Sequence, residues 1–231
     1  MKIKILISGL SIMIVSNMLM ILSISKLHLR SFIAITLFTL LSLLVWRVLL
    51  KKDVPIMIKT IDITILKSTL FLLVIPLVAI VYFLSVFKID YGILSLMMLT
   101  SLATGFYEEI IFRGVTLGSL ICADVKPSKA IYLSAMIFSL FHLSTMYNYT
   151  SIDILLKILN TFMMGVIFAY IYYKAHNILY IIIIHFLWDL ESFLAQYQQD
   201  MLNKIGESIA IILFAMTVLY FSWSYKKIAK L

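Results

Sequence analysis

The sequence predicts an all-α membrane protein, a bundle of about eight transmembrane helices in one compact unit with a buried polar cavity. Three observations predict it. Of 231 residues, 63% are hydrophobic and only 13% charged, and a soluble domain of this size would lack the polar surface to coat so much apolar material. The apolar residues fall in runs near the roughly 20 positions that a helix needs to cross about 30 Å of hydrocarbon at 1.5 Å per residue. The basic residues lie between these runs rather than within them, as topology signals do.

Taken in order, the first span is expected at about 4–24, within "MKIKILISGLSIMIVSNMLMILSI". Its basic start and apolar middle suit a signal peptide. Its apolar stretch is long and no small-x-small cleavage site follows, so it is read as a span that stays. Further spans are expected at about 31–50, 65–87, 92–121, 129–147, 154–173, 177–197 and 207–224. Connections are short, with no repeat, low-complexity tract or soluble insertion. The chain divides into an N-terminal group of about three helices (1–90), a core carrying the chemistry (91–195), and a last helix with a basic tail (196–231).

Eight spans put both termini on one side. Thirteen of the nineteen Lys and Arg residues then share that side, five lie on the other, and Arg113 falls inside a span. This asymmetry predicts cytoplasmic termini in a multi-pass plasma-membrane protein. The net charge of +8 forms no basic amphipathic face, which excludes nucleic acid as a partner; membrane lipids are the expected surroundings. Cys122 is the single cysteine, so an internal disulfide and a cysteine metal cluster are both excluded. The acceptor-like triplet Asn148-Tyr149-Thr150 is common by chance and carries no weight.

The span at 92–121 contains "GFYEEIIFRG" (105–114). Its apolar side chains favour insertion by about 4–8 kcal/mol in total, while Glu108, Glu109 and Arg113 oppose it by about 2.5–3.5 kcal/mol each. These sums nearly cancel, so the helix must face protein or water. Glu109 and Arg113, four apart, share a face and can pair. Glu108 is rotated by about 100° and is expected to point elsewhere. Two other spans carry polar groups: "FSLFHL" places His142 four residues after Phe138, and "IIIIHFLWDL" places His185 and Asp189 four apart. Glu108, His142 and His185 lie at comparable depth, so two carboxylates and two imidazoles from three helices are expected to share one hydrated pocket. The aromatic residues Phe106, Tyr107, Phe112, Phe138 and Phe141 beside these motifs are expected to be ordinary apolar filler, with the wall of an apolar channel as the alternative.

Glu-Glu-x-x-x-Arg, Phe-x-x-x-His and His-x-x-x-Asn/Asp, in this order in separate spans, resemble the three signatures of the CPBP intramembrane protease family. That family includes type II CAAX prenyl proteases and bacterial Abi and bacteriocin-processing or immunity proteins. The resemblance covers about residues 90–195 and implies about eight spans around a catalytic cavity. It also implies peptidase activity of a metal type or a Glu-based type. One position departs: Asp189 stands where many members carry Asn, and a carboxylate donates to an oxyanion only when protonated.

Peptide hydrolysis needs an activated water and a positive group facing the tetrahedral oxyanion. Glu108 is the expected general base. His142 and His185 would donate to the oxyanion or, with Glu108, hold a divalent metal such as zinc. No HExxH is present, so the zincin arrangement is absent. Glu109 with Arg113 is expected to hold the motif helix, Glu109 also assisting, and Asp189 to orient His185. The expected substrate is a hydrophobic or lipid-anchored peptide in a bacterial membrane, with precursor processing or self-immunity favoured over CAAX removal. Two other classes stay open: a non-catalytic bacteriocin-immunity protein, and a proton-linked carrier, which the scarcity of Gly- or Pro-broken helix pairs disfavours.

Overall fold

The structure, a computed structural model, describes residues 56–145 and 151–197 and scattered positions between 40 and 47 and between 218 and 231. The spans expected at about 4–24, 31–50 and 207–224 lie wholly or mostly outside the described residues, as does Asn148-Tyr149-Thr150. Helix α1 is Ile63–Thr69, α2 Phe71–Val86 and α3 Tyr91–Glu109, which continues into a π-helical segment Ile110–Leu117 and α4 Gly118–Cys122. Helix α5 is Pro127–Phe141, closed by a 3-10 turn His142–Thr145; α6 is Ser151–Ala175 and α7 Ile178–Tyr197. Among the described residues there is no strand, only an isolated bridge between Ile58 and Asn177. The all-α expectation holds.

The helix starts follow from local chemistry. Asp62 caps α1 by accepting from the Thr64 backbone N–H at 2.6 Å, a bond that also holds its carboxyl below the usual range. Asp90 caps α3 by accepting from Gly92 and Ile93, and Pro127 occupies the first turn of α5, where its missing N–H is harmless. Between α6 and α7 the chain reverses at His176 (φ 50). Asn177 then accepts from the Tyr180 N–H.

Helices α1 and α2 meet at a 46° bend. The hydroxyls of Ser68 and Thr69 both donate to the Ile65 carbonyl, and such back-bonding competes with the helical ladder and bends it.

Two described helices, the Ile154–Ala175 part of α6 and all of α7, are long and apolar enough to cross a bilayer, and the bent α1–α2 pair makes a third if it is one span. The other two spans expected in this stretch are not regular transmembrane helices. At 15 residues α5 reaches only about 22 Å, because it stops at His142. The run from Tyr91 to Cys122 is broken by the π-helical segment directly after its two glutamates. Eight regular spans are therefore not what the described residues provide. Their outward faces are nonetheless those of a membrane protein. Val78 and Val81 on α2, Leu102 on α3, Leu140 on α5 and Leu155 on α6 are all exposed, as lipid-solvated helices require.

Two glycines set the closest helix approaches. A Cβ at Gly165 of α6 would meet Ala135 Cα and Cβ and Phe138 Cδ1 of α5, all at 3.1 Å. A Cβ at Gly105 of α3 would come 3.3 Å from the Phe186 backbone N and 3.4 Å from His185 Cβ on α7. Helix α2 lies along α7, with Ala79, Ile80 and Phe83 packed on Leu190 and Leu194. Gly165→Ala is expected to destabilise the protein by about 1–3 kcal/mol through overpacking, read as a lower thermal midpoint in detergent. An unchanged midpoint would show that α5 and α6 are not held this close.

Candidate active site

The site is assembled from the last turn of α3, the π-helical segment, the end of α5, the middle of α6 and the middle of α7. The π turn displaces backbone carbonyls from the α-helical ladder, and side chains take them up. Thr116 Oγ1 donates to the Ile111 carbonyl at 2.9 Å, and Ser134 Oγ of α5 donates to the Phe112 carbonyl at 2.8 Å. Such single π turns concentrate at functional sites. Here the turn carries Arg113 into the centre of the bundle.

Arg113 is fully buried. Its guanidinium lies 4.4 Å from the ring centroid of Phe138 and 5.4 Å from that of Phe168, in cation–π range of both. One terminal nitrogen donates to Glu109 Oε1 at 2.8 Å, and the other reaches the Gly165 carbonyl at 3.4 Å. The close approach that Gly165 permits between α5 and α6 thus also brings an acceptor to the cation. The expected Glu109–Arg113 pair is present.

Glu109 does more than pair with Arg113. The same Oε1 accepts from His185 Nδ1 at 2.7 Å. A carboxylate oxygen accepts only, so Nδ1 carries the proton and Nε2 is turned to the opposite side of the ring. There Nε2 lies 3.6 Å from Glu108 Oε2 and 3.6 Å from Asp189 Oδ1. The expected meeting of Glu108 with His185 is present, and Glu108 points away from Glu109 as expected, to the other nitrogen of the ring. Neighbouring side chains diverge by about 100° around a helix, but one imidazole inserted between them is touched by both, a nitrogen to each. Gly105 allows α7 close enough for this.

Glu108 is 4% exposed and Glu109 0%. Neither Oε2 has a hydrogen-bond partner among the described residues, so each is a buried acceptor with capacity left. The Asp189 side chain, 27% exposed, is the most open of the group.

His142 ends α5. Its Nδ1 stands 2.9 Å from the Phe138 carbonyl, and its ring packs edge-on against Phe138 with centroids 4.8 Å apart. Phe138 in turn lies 6.2 Å from the His185 ring. Both imidazoles thus pack against one phenyl ring, and the same ring lies under the Arg113 guanidinium. Tyr107, Phe112, Phe138 and Phe141 are buried rather than lipid-facing, and Phe138, under the Arg113 guanidinium, is more than filler.

Among the described residues no group of three or more His, Cys, Asp and Glu side chains is arranged to hold a metal ion. The Nδ1 atoms of His185 and His142 stand against Glu109 and the Phe138 carbonyl, which leaves Nε2 of each ring as the nitrogen that a ligand would meet.

Sequence reasoning missed three contributors. Phe168 looks like any aromatic of an apolar run, and Gly165 acts through its carbonyl; neither leaves a signal. Gly105 opens the motif stretch itself and is one of only 7 glycines, which is a usable hint of a close helix approach.

An apolar cleft of about 310 Å³ opens between α3 and α7, lined by Ile93, Leu96, Met97, Thr100, Phe193, Gln196 and Tyr197. It follows the same helix pair that carries Glu108 and Asp189, about one to two turns after Asp189 on α7 and about two to four turns before Glu108 on α3.

Residues 90–190 match the family model described as Type II CAAX prenyl endopeptidase Rce1-like. The match runs from the cap of α3 through Asp189, covering every residue of the cluster described above. No curated protein matches the chain. The part of the chain that bears the site is therefore similar to a CAAX-type intramembrane protease.

Arg113→Ala is expected to cost about 3–5 kcal/mol, because it leaves the Glu109 carboxylate buried without its cation. Denaturation in mixed micelles measures this; a loss below about 1 kcal/mol would show that the pair is solvated.

Proposed function

We propose that the chain is an intramembrane endopeptidase that hydrolyses a peptide bond of a hydrophobic or lipid-anchored peptide. The observation that carries this reading is the buried Glu108 Oε2, without a hydrogen-bond partner among the described residues, 3.6 Å from an imidazole nitrogen whose ring is locked from behind by Glu109 and Arg113. A carboxylate and an oriented imidazole facing one spot are what activation of a water requires. The family match over the same residues supports it.

In this reading Glu108 takes a proton from water as the oxygen attacks the scissile carbonyl carbon. The carbonyl oxygen becomes an oxyanion. His185 Nε2 donates to it when the ring holds its second proton, with His142 beside Phe138 as the other candidate donor. Glu108 then passes its proton to the leaving nitrogen, the C–N bond breaks, and a carboxylate and an amine leave. Asp189 acts as an acceptor beside Nε2, a role open to a carboxylate where an amide would have donated. No step is routed through a metal.

The Lys and Arg distribution supports a multi-pass plasma-membrane protein with cytoplasmic termini and cleavage near the cytoplasmic face. Composition favours a bacterial membrane and a peptide precursor over a prenylated protein.

The test uses purified wild type and Glu108→Gln with three substrates: a prenylated C-terminal peptide, a double-glycine bacteriocin precursor and an unmodified apolar peptide. Wild type is expected to cleave at least one, and the variant to be slower by about 10²–10⁴-fold at an unchanged thermal midpoint. Equal rates, or no cleavage of any, would overturn the reading. Full protection of cells against a bacteriocin by the variant would favour a binding protein instead. A chelator is expected to leave the rate unchanged; loss that zinc restores would remove Glu108 as the unaided base.

A further inference from the structure

Pro76 lies inside α2. In a helix the Leu72 carbonyl would accept from the N–H four residues on, and proline has none. Leu72 is 1% exposed, in a helix whose surroundings offer no water, so the orphaned carbonyl needs a partner from elsewhere in the protein. Trp188 supplies it: its indole Nε1 donates to Leu72 O at 2.9 Å.

Trp188 lies three residues after His185 and one before Asp189 on α7. A contact at this position sets the rotation of α7 about its axis, and rotation decides whether His185 meets Glu109 or turns away from it. A second pin lies two turns earlier, where the Tyr180 hydroxyl meets that of Thr69. Thr69 Oγ1 already donates to Ile65 O, so Tyr180 donates to it. Both pins come from the bent α1–α2 unit, which precedes the stretch 90–190 that matches the protease family.

We infer that Trp188 is a positioning residue: through the carbonyl that Pro76 leaves open, it anchors α7 to the α1–α2 unit and holds His185 and Asp189 toward the two glutamates. The catalytic consequence rests on the peptidase reading above; the anchoring does not.

The experiment compares wild type, Trp188→Phe, Pro76→Ala and the double variant in nanodiscs. Three quantities are read: the thermal midpoint, kcat and KM on the substrate that wild type cleaves, and the rate at which diethyl pyrocarbonate modifies His185, followed by mass spectrometry. Trp188→Phe strands the Leu72 carbonyl and is expected to lower the midpoint, to lower kcat by about 10- to 100-fold with little change in KM, and to speed His185 modification. In the double variant the new N–H of residue 76 pairs with Leu72 O. The midpoint is then expected to recover, while kcat stays low and modification stays fast, because α7 is still unanchored. Recovery of all three would reduce Trp188 to a stabilising contact and overturn the inference, as would a Trp188→Phe protein that matches wild type in midpoint and modification rate. If wild type cleaves nothing, the peptidase reading falls, and the midpoint and modification rate still decide the anchoring.

Discussion

A guanidinium buried in the middle of an apolar bundle organises everything around it. Moving a lone ion of that kind out of water costs about 20 kcal/mol in the idealised limit and still several after relaxation. Arg113 is tolerable because of what surrounds it: Glu109 Oε1, the Gly165 carbonyl, and the rings of Phe138 and Phe168 that its guanidinium lies over. These partners come from α3, α5 and α6, so neutralising one charge fixes three elements against each other.

The polar relay extends from that point through Glu109 to His185. Glu109 Oε1, held by Arg113, accepts from His185 Nδ1, which turns Nε2 to Glu108 and Asp189. In a low-dielectric interior such hydrogen bonds are stronger than in water, and an unpaired member is correspondingly costly. The relay is braced at its Arg113 end by Glu109 Oε1 and the Gly165 carbonyl, while Glu108 Oε2, Glu109 Oε2 and Arg113 Nε have no hydrogen-bond partner among the described residues. Incomplete satisfaction, with tight support behind it, is how a reactive carboxylate is presented rather than neutralised. Phe138 serves the same purpose, since it packs against both imidazoles while covering the cation.

The departures from regular helix fall at the places where this arrangement demands them. The π turn begins at the residue after Glu109, and α5 stops at His142, well short of a bilayer's thickness. A continuous α-helix would carry Arg113 on with the regular ladder, and a full-length α5 would enclose His142 in its own helix. The bent α1–α2 pair, with proline inside it, stands behind α7 and lends it a carbonyl to hold. Transmembrane regularity is given up where side chains have to converge.

Composition and periodicity determined that the chain is helical and lipid-solvated, and the spacing of Glu109 and Arg113 determined that they would pair, because each depends on local chemistry read along one helix. The comparable depth of Glu108, His142 and His185 in their helices also pointed to a shared pocket, and the resemblance of the three motifs added Phe138 and Asp189 to it. The tertiary structure alone decided that Glu108 and Glu109 straddle a single imidazole, that Phe168 and the Gly165 carbonyl complete the cradle of Arg113, and that two expected spans are short or broken. These depend on how closely and at what rotation helices meet, and a glycine's missing Cβ or a proline's missing N–H takes its meaning from the partner across the interface. No pattern along one strand of sequence contains that partner.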